Sequence, residues 1–425
     1  MALDTATQLP LLDLLRERPA LRGFIAIRAT DELASQMLNV AIGWYVYAAT
    51  HDPMSLAYVG LAQFLPTIGI VLLAGQAADH FDRRKIIGLS LSVQTLCLAM
   101  FCVWSTAARP SAAPVYLLLL AISSARAFSA PAMSATLPHV VNSEEFPRAV
   151  AVTSSAFQIC SIVGPALGGV IYAAGGRAVF GVATALLLLA LTQARHLAGG
   201  HSAGSGHDRA SDLTDKSLLA GIRYVRSNRL LLGLISLDLF AVLLGGVTAL
   251  LPIYAEDILV VGPMGLGCLR CGPGLGAAVV GLVLAHRTIA RDAGKLMLRC
   301  VAGFGVATVV FALSTHFWLS LTALIASGGF DMVSMVIRQT LVQISTPNAM
   351  RGRVSAVNWV FIGASNELGE FESGITAALF GTVPAALLGG LGTLAVVALW
   401  AKLFPELRHA NKLVTVETND AGTGQ

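Results

Sequence analysis

Apolar residues dominate this chain in long runs, each closed by a short polar break. Such runs cover residues 22–49, 56–78, 86–107, 114–137, 148–173, 178–197, 230–255, 266–287, 296–314, 317–344, 353–379 and 384–404. Each is about as long as the ~20 residues an α-helix needs to cross a bilayer. The pattern predicts an all-α membrane protein with about twelve transmembrane helices. Residues 198–229 interrupt it. The glycine- and serine-rich stretch from Gly199 to His207 reads as a flexible linker. After it, Leu218, Leu219, Ile222 and Val225 recur at helical spacing beside Arg223 and Arg226, the pattern of an amphipathic helix lying along a membrane surface. The expected division is a six-helix bundle over 1–197, a linker with this helix over 198–229, a second six-helix bundle over 230–405, and a tail over 406–425.

Composition agrees with that pattern. Charged residues make up only 12% of the chain and mean hydropathy is +0.73, whereas soluble proteins carry roughly 25% charged residues. The net charge of +4 comes from bases dispersed among the breaks, which argues against a nucleic-acid surface. Their distribution sets an orientation. With both termini inside, Arg109, Arg177 and Arg270 face outward, Arg28, Arg126 and Arg338 lie within runs, and the other 22 of the 28 Lys and Arg fall on the cytoplasmic side. The stretch from Met1 to Arg22 lacks the pattern of a cleavable signal, so the first run is expected to remain. Of the cysteines, Cys268 and Cys271 have C-x-x-C spacing but no second pair and no nearby histidine, so no metal site is expected.

The two halves repeat. Asp31 and Tyr47 recur as Asp238 and Tyr254 at an offset of 207, and Gly75 recurs as Gly281 at 206. Gly164 and Gly169 recur as Gly369 and Gly374 at 205. A near-constant offset over unrelated features indicates duplication, and two like halves around a midplane site form a transporter architecture.

Three constellations carry chemistry. Gly75, Asp79, Asp82, Arg83 and Arg84 form a compact charged hairpin between the second and third runs. Its glycine permits close helix approach, its acids can accept from a helix N-terminus, and its bases favour the cytoplasmic side. Gly164, Pro165, Gly168 and Gly169 put close packing and a bend into the fifth run. Finally, several ionisable residues lie within runs, where a charge costs several kcal/mol and is a functional candidate by default. Asp31, Glu32, Asp331, Glu367 and Glu370 are the candidates for carrying a coupling proton, and Arg28, Arg126 and Arg338 for binding substrate. Arg28 is the expected charge partner of Asp31 and Glu32, which share its helix face. Arg126 and Asp331, related by the 205-residue offset, are expected to pair across a central cavity; purely structural ion pairs are the alternative for each of these groups.

The hairpin resembles the G-x-x-x-D-x-x-x-R-[RK] loop of the major facilitator superfamily, and the Gly-Pro stretch resembles that superfamily's antiporter signature with Cys160 in place of the leading glycine. With Arg126 to Pro138, Arg338 to Arg353 and Glu367 to Gly374, the chain is similar to the siderophore (enterobactin) exporter branch over about residues 10 to 412. The resemblance implies a proton-coupled antiporter of the inner membrane that exports a siderophore-like or other small metabolite by alternating access. It implies a protein working as a monomer in the lipid bilayer, with the proton gradient as energy source and no cofactor. A multidrug efflux permease and, further off, a metabolite importer remain alternatives. A membrane enzyme is disfavoured, because an H-E-x-x-H motif is absent; a G-x-x-x-x-G-K-[ST] phosphate loop is also absent, which disfavours direct ATP drive.

Overall fold

In the computed structural model, residues 18–105, 113–142, 144–195, 215–286 and 292–410 are described. They are helical almost throughout, and each apolar run of the sequence coincides with a helix to within a few residues. The first group comprises α1 (Pro19–Thr50), α2 (Pro53–His80), α3 (Arg83–Trp104), α4 (Ala113–Val140), α5 (Phe146–Ala173) and α6 (Gly176–Ala194). The short α7 (Asp215–Ser227) precedes the second group. That group comprises α8 (Arg229–Ile258), α9 (Gly262–His286), α10 (Ala293–Leu313), α11 (Phe317–Ile344), α12 (Asn348–Phe380) and α13 (Thr382–Leu403), followed by the one-turn α14 (Pro405–His409). By length and composition, nine helices are apolar enough to cross a membrane among the described residues.

Short polar caps stop one helix and start the next. Asp52 accepts from the Met54 amide at the start of α2, Asp82 from the Arg84 amide at the start of α3, and Asn228 from the Leu230 and Leu231 amides at the start of α8. Two turns require glycine. Gly175 has φ 117° between α5 and α6, and Gly381 has φ 91° between α12 and α13. These turns sit at equivalent places in the two groups. Helix α8 departs from regularity after Gly245, passing through a 3-10 turn, Val247–Leu250, and a π-helical turn, Tyr254–Ile258.

The packing repeats as well as the sequence. In the first group α1 packs on α5 and α6, α2 on α4, and α3 on α4 and α6. In the second, α8 packs on α12 and α13, α9 on α11, and α10 on α11 and α13. The correspondence is one-to-one. Across the groups the large contacts are α5 with α9 and α2 with α12, and the same correspondence exchanges these two pairs. A pseudo-two-fold relation between the halves follows. The amphipathic α7 packs on α12, with Gly221 against the Arg353 carbonyl and Val357.

The seam between the halves is built from small residues. Lipid gives apolar helices no hydrophobic reason to associate, so close backbone approach must supply the attraction. A Cβ on Gly169 would lie 2.9 Å from Gly267 Cα, and one on Gly374 2.8 Å from Ala57 Cα. Both contacts lie near the end that carries the α1–α2, α5–α6 and α12–α13 turns. The largest buried apolar cluster also crosses the seam there, joining Met37, Val40 and Tyr47 to Leu250, Ile253 and Leu266.

Candidate functional site

The ionisable residues within the helices gather in three places. In the first, Glu32 on α1 is the centre. Its Oε2 lies 3.9 Å from Arg126 Nη2 on α4, and its Oε1 accepts from Gln36 Nε2 at 2.7 Å. The other Arg126 nitrogen donates to Ser35 Oγ. Arg28 stands over the Phe157 ring of α5, 5.5 Å from its centroid, and its Nε is buried without a hydrogen-bond partner. Asp31 Oδ1 is likewise buried without one. The fields of Arg126 and Arg28 both reach Asp31. The acids therefore share their region with Arg28, as helix spacing predicted. The direct ion pair, however, is made by Arg126.

In the second place, Arg338 of α11 bonds Asp238 of α8 at 2.5 Å, with side-chain exposures of only 5% and 12%. Asp331, two turns earlier on α11, is exposed and feels the field of Arg338. The expected Arg126–Asp331 pair across a cavity is not formed. Each arginine is paired inside its own half, because a neighbouring helix already offers a carboxylate there. Arg338 is 4% exposed and held by Asp238.

The third place lies on the seam. Glu370 of α12 and Arg270 of α9 line one cavity of about 30 Å³ together with Asn39 of α1 and Gln63 of α2. Arg270 was expected on the outward face. The structure corrects this: α9 begins at Gly262, so Arg270 stands more than two turns inside the helix. The signal was the glycine-rich run around it, which the hydropathy boundary at 266 cut through. Glu367 lies one turn before Glu370 on α12.

The glycine motif of α5 serves packing. Gly164 and Gly168 face Gln36 and Met37 of α1, and Gly169 faces Pro263 and Gly267 of α9. The motif thus places α5 against both its own half and the other. In the charged hairpin, Asp82 caps α3, Arg83 Nη1 donates to the Ala135 carbonyl of α4 at 3.0 Å, and Arg84 donates to the Arg195 carbonyl after α6. Gly75 and Asp79 lie in the last turns of α2, and the Asp79 side chain falls outside the described residues. The six cysteines are free, and the Cys271 thiol donates to the Ile162 carbonyl at 2.9 Å. Among the described residues no group of three His, Cys, Asp or Glu could hold a metal ion.

Two repeated helix groups around buried, partly unsatisfied charges define a multi-pass membrane transporter of the major facilitator type. The chain belongs to the transmembrane secretion effector family, whose model matches residues 21–420. It is similar to the enterobactin exporter EntS of Escherichia coli (strain K12), 27% identical over 404 residues, 94% of this chain and 95% of that protein. To EntS of Citrobacter koseri it is 29% identical over 388 residues, 90% of this chain and 88% of that one. Among solved structures it resembles the nucleoside transporter NupG (TM-score 0.66, 13% identity, 91% of this chain and 99% of that one). It also resembles a bacterial homologue of the lysosomal transporter Spinster in an inward-facing, unoccupied conformation (TM-score 0.68, 14% identity, 92% and 98%). These relatives and neighbours are transporters, and this protein is a transporter rather than an enzyme.

Proposed function

We propose that the protein is a proton-coupled antiporter of the inner membrane that exports a siderophore-like metabolite by alternating access. In this reading all twelve long helices cross the bilayer as two six-helix bundles, both termini are cytoplasmic, and the protein acts as a monomer on the proton gradient without a cofactor. The observation that carries it is the partly buried Arg28–Asp31–Glu32–Arg126 group. An arginine nitrogen and a carboxylate oxygen there lack partners in a region where each unsatisfied charge is costly. Such groups persist where a ligand or a proton completes them. The Glu32–Arg126 pair supplies an acid whose ionisation is balanced by one arginine, while Arg28 offers a planar donor fork to an anionic or metal-chelating substrate. The similarity to enterobactin exporters favours a catecholate-type substrate. On the cytoplasmic orientation of the bases, the sealed end of the seam faces outward, and Arg83 and Arg84 are held by their own half.

The test uses purified protein in proteoliposomes with an imposed proton gradient. A catecholate siderophore should accumulate on the acidic side and drive protons the other way. Accumulation that survives collapse of the gradient would remove proton coupling from the reading.

A further inference from the structure

The cavity on the seam differs from the other two charge groups because it draws on both halves. Asn39 and Gln63 come from α1 and α2, Arg270 and Glu370 from α9 and α12, and the remaining walls of the cavity are apolar. Arg270 Nε is buried without a hydrogen-bond partner. Glu370 and Arg270 act on one another electrostatically. A space of about 30 Å³ fits one water, which needs two to four polar partners, and these four side chains provide them. Tight packing surrounds the site. A Cβ on Gly60 would lie 3.2 Å from Glu370 Cβ and 3.1 Å from the Phe371 nitrogen, so α2 and α12 cannot slide there without losing backbone contact.

We propose that Arg270, Glu370, Asn39 and Gln63 form a proton-binding lock that holds this end of the seam shut. The proposal rests on the alternating-access reading. With Glu370 ionised, the two charges neutralise one another, and the amides of the first half complete their hydrogen bonds through the shared cavity. When a carboxylate oxygen of Glu370 takes a proton from water, its charge is lost and the guanidinium remains buried alone. A buried charge stripped of its partner is strongly destabilising, and the relief is to open the seam and hydrate Arg270. The groups that face Glu370 make it the proton-accepting member. They are Arg270 from α9, Asn39 from α1, Gln63 from α2 and the uncharged Ala249 and Pro252 from α8, with Glu367 one turn away on α12 itself. Arg270 is the one other charge lining the cavity.

Hydrogen–deuterium exchange of the full chain in lipid nanodiscs tests this without any transport measurement. Labelling times are scaled for the intrinsic pH dependence of exchange, and peptides over residues 39–63 and 246–270 are read. Glu370→Gln and Arg270→Gln should each exchange about tenfold faster than wild type in these segments. The double variant should return close to wild type, because removing both partners leaves no buried charge. Wild type should loosen as pH falls, and Glu370→Gln should lose that response. Wild-type exchange in both single variants overturns the lock, and so does a double variant as loose as the two singles combined. Failure of proton-driven transport with these exchange results intact would count against the antiport reading alone.

Discussion

The Tyr47 hydroxyl donates to the Asp257 carboxylate, and this bond ties α1 of the first half to the π-helical turn that ends α8 of the second. Tyr47 is 4% exposed, while Asp257 is exposed at the rim. The tyrosine ring also meets His51 edge-on at 5.7 Å. The bond thus lies at the mouth of the seam, with the Arg270–Glu370 cavity farther in. A double-mutant cycle of Tyr47→Phe and Asp257→Asn, read by thermal unfolding in detergent, should give a coupling of about 1.5–3 kcal/mol, the range for a hydrogen bond to a charged group. A coupling near zero would mean that the bond does not hold the seam.

Arg338 and Arg126 should separate by their losses. The Arg338–Asp238 pair is almost fully enclosed, so Asp238→Asn should lower stability by about 3–5 kcal/mol, the usual result of stripping a buried charge of its partner. Arg126 is 36% exposed in its side chain. Arg126→Lys should therefore keep near-normal abundance yet weaken substrate binding, because lysine cannot reproduce the planar fork. Wild-type affinity in purified Arg126→Lys would place the substrate on other residues.

The acids of α1 are expected to carry the coupling proton. In proteoliposomes the Asp31→Asn, Glu32→Gln double variant should lose substrate-evoked proton movement. Unchanged coupling in that variant would move the role to Asp331, Glu367 or Glu370.

Gly169 packs on Gly267 with room for no side chain. Gly169→Val should force α5 and α9 apart and cost about 1–3 kcal/mol from overpacking, with loss of transport at measurable membrane insertion. Full activity would show that the helices can separate there freely.

In the charged hairpin, Asp79→Asn should lower transport while leaving insertion intact. Well-expressed Asp79→Asn with normal transport would remove the hairpin from the mechanism.

The sequence alone determined the helices, their near ends and the duplication. The bilayer demands about 20 apolar residues per crossing, and this demand is local and one-dimensional. The glycine pattern of α5 was legible for the same kind of reason, since only glycine permits backbone contact at helical spacing. The charges were legible as a set but not as pairs. A run within a helix shows that Arg126, Asp331 and Arg338 are costly, yet which carboxylate meets which arginine depends on helix rotation and on the neighbour across the gap. The structure gave Arg126 to Glu32 and Arg338 to Asp238, each within its own half. Arg270 shows the limit most clearly. The predicted run from 266 held it near an end and its charge put it on the outer face, while the folded helix, which begins at Gly262, carries it inward to Glu370. Partners such as Tyr47 and Asp257, 210 residues apart, meet only because the two halves pack against each other along one seam. No local period encodes that contact, so only the tertiary structure could decide it.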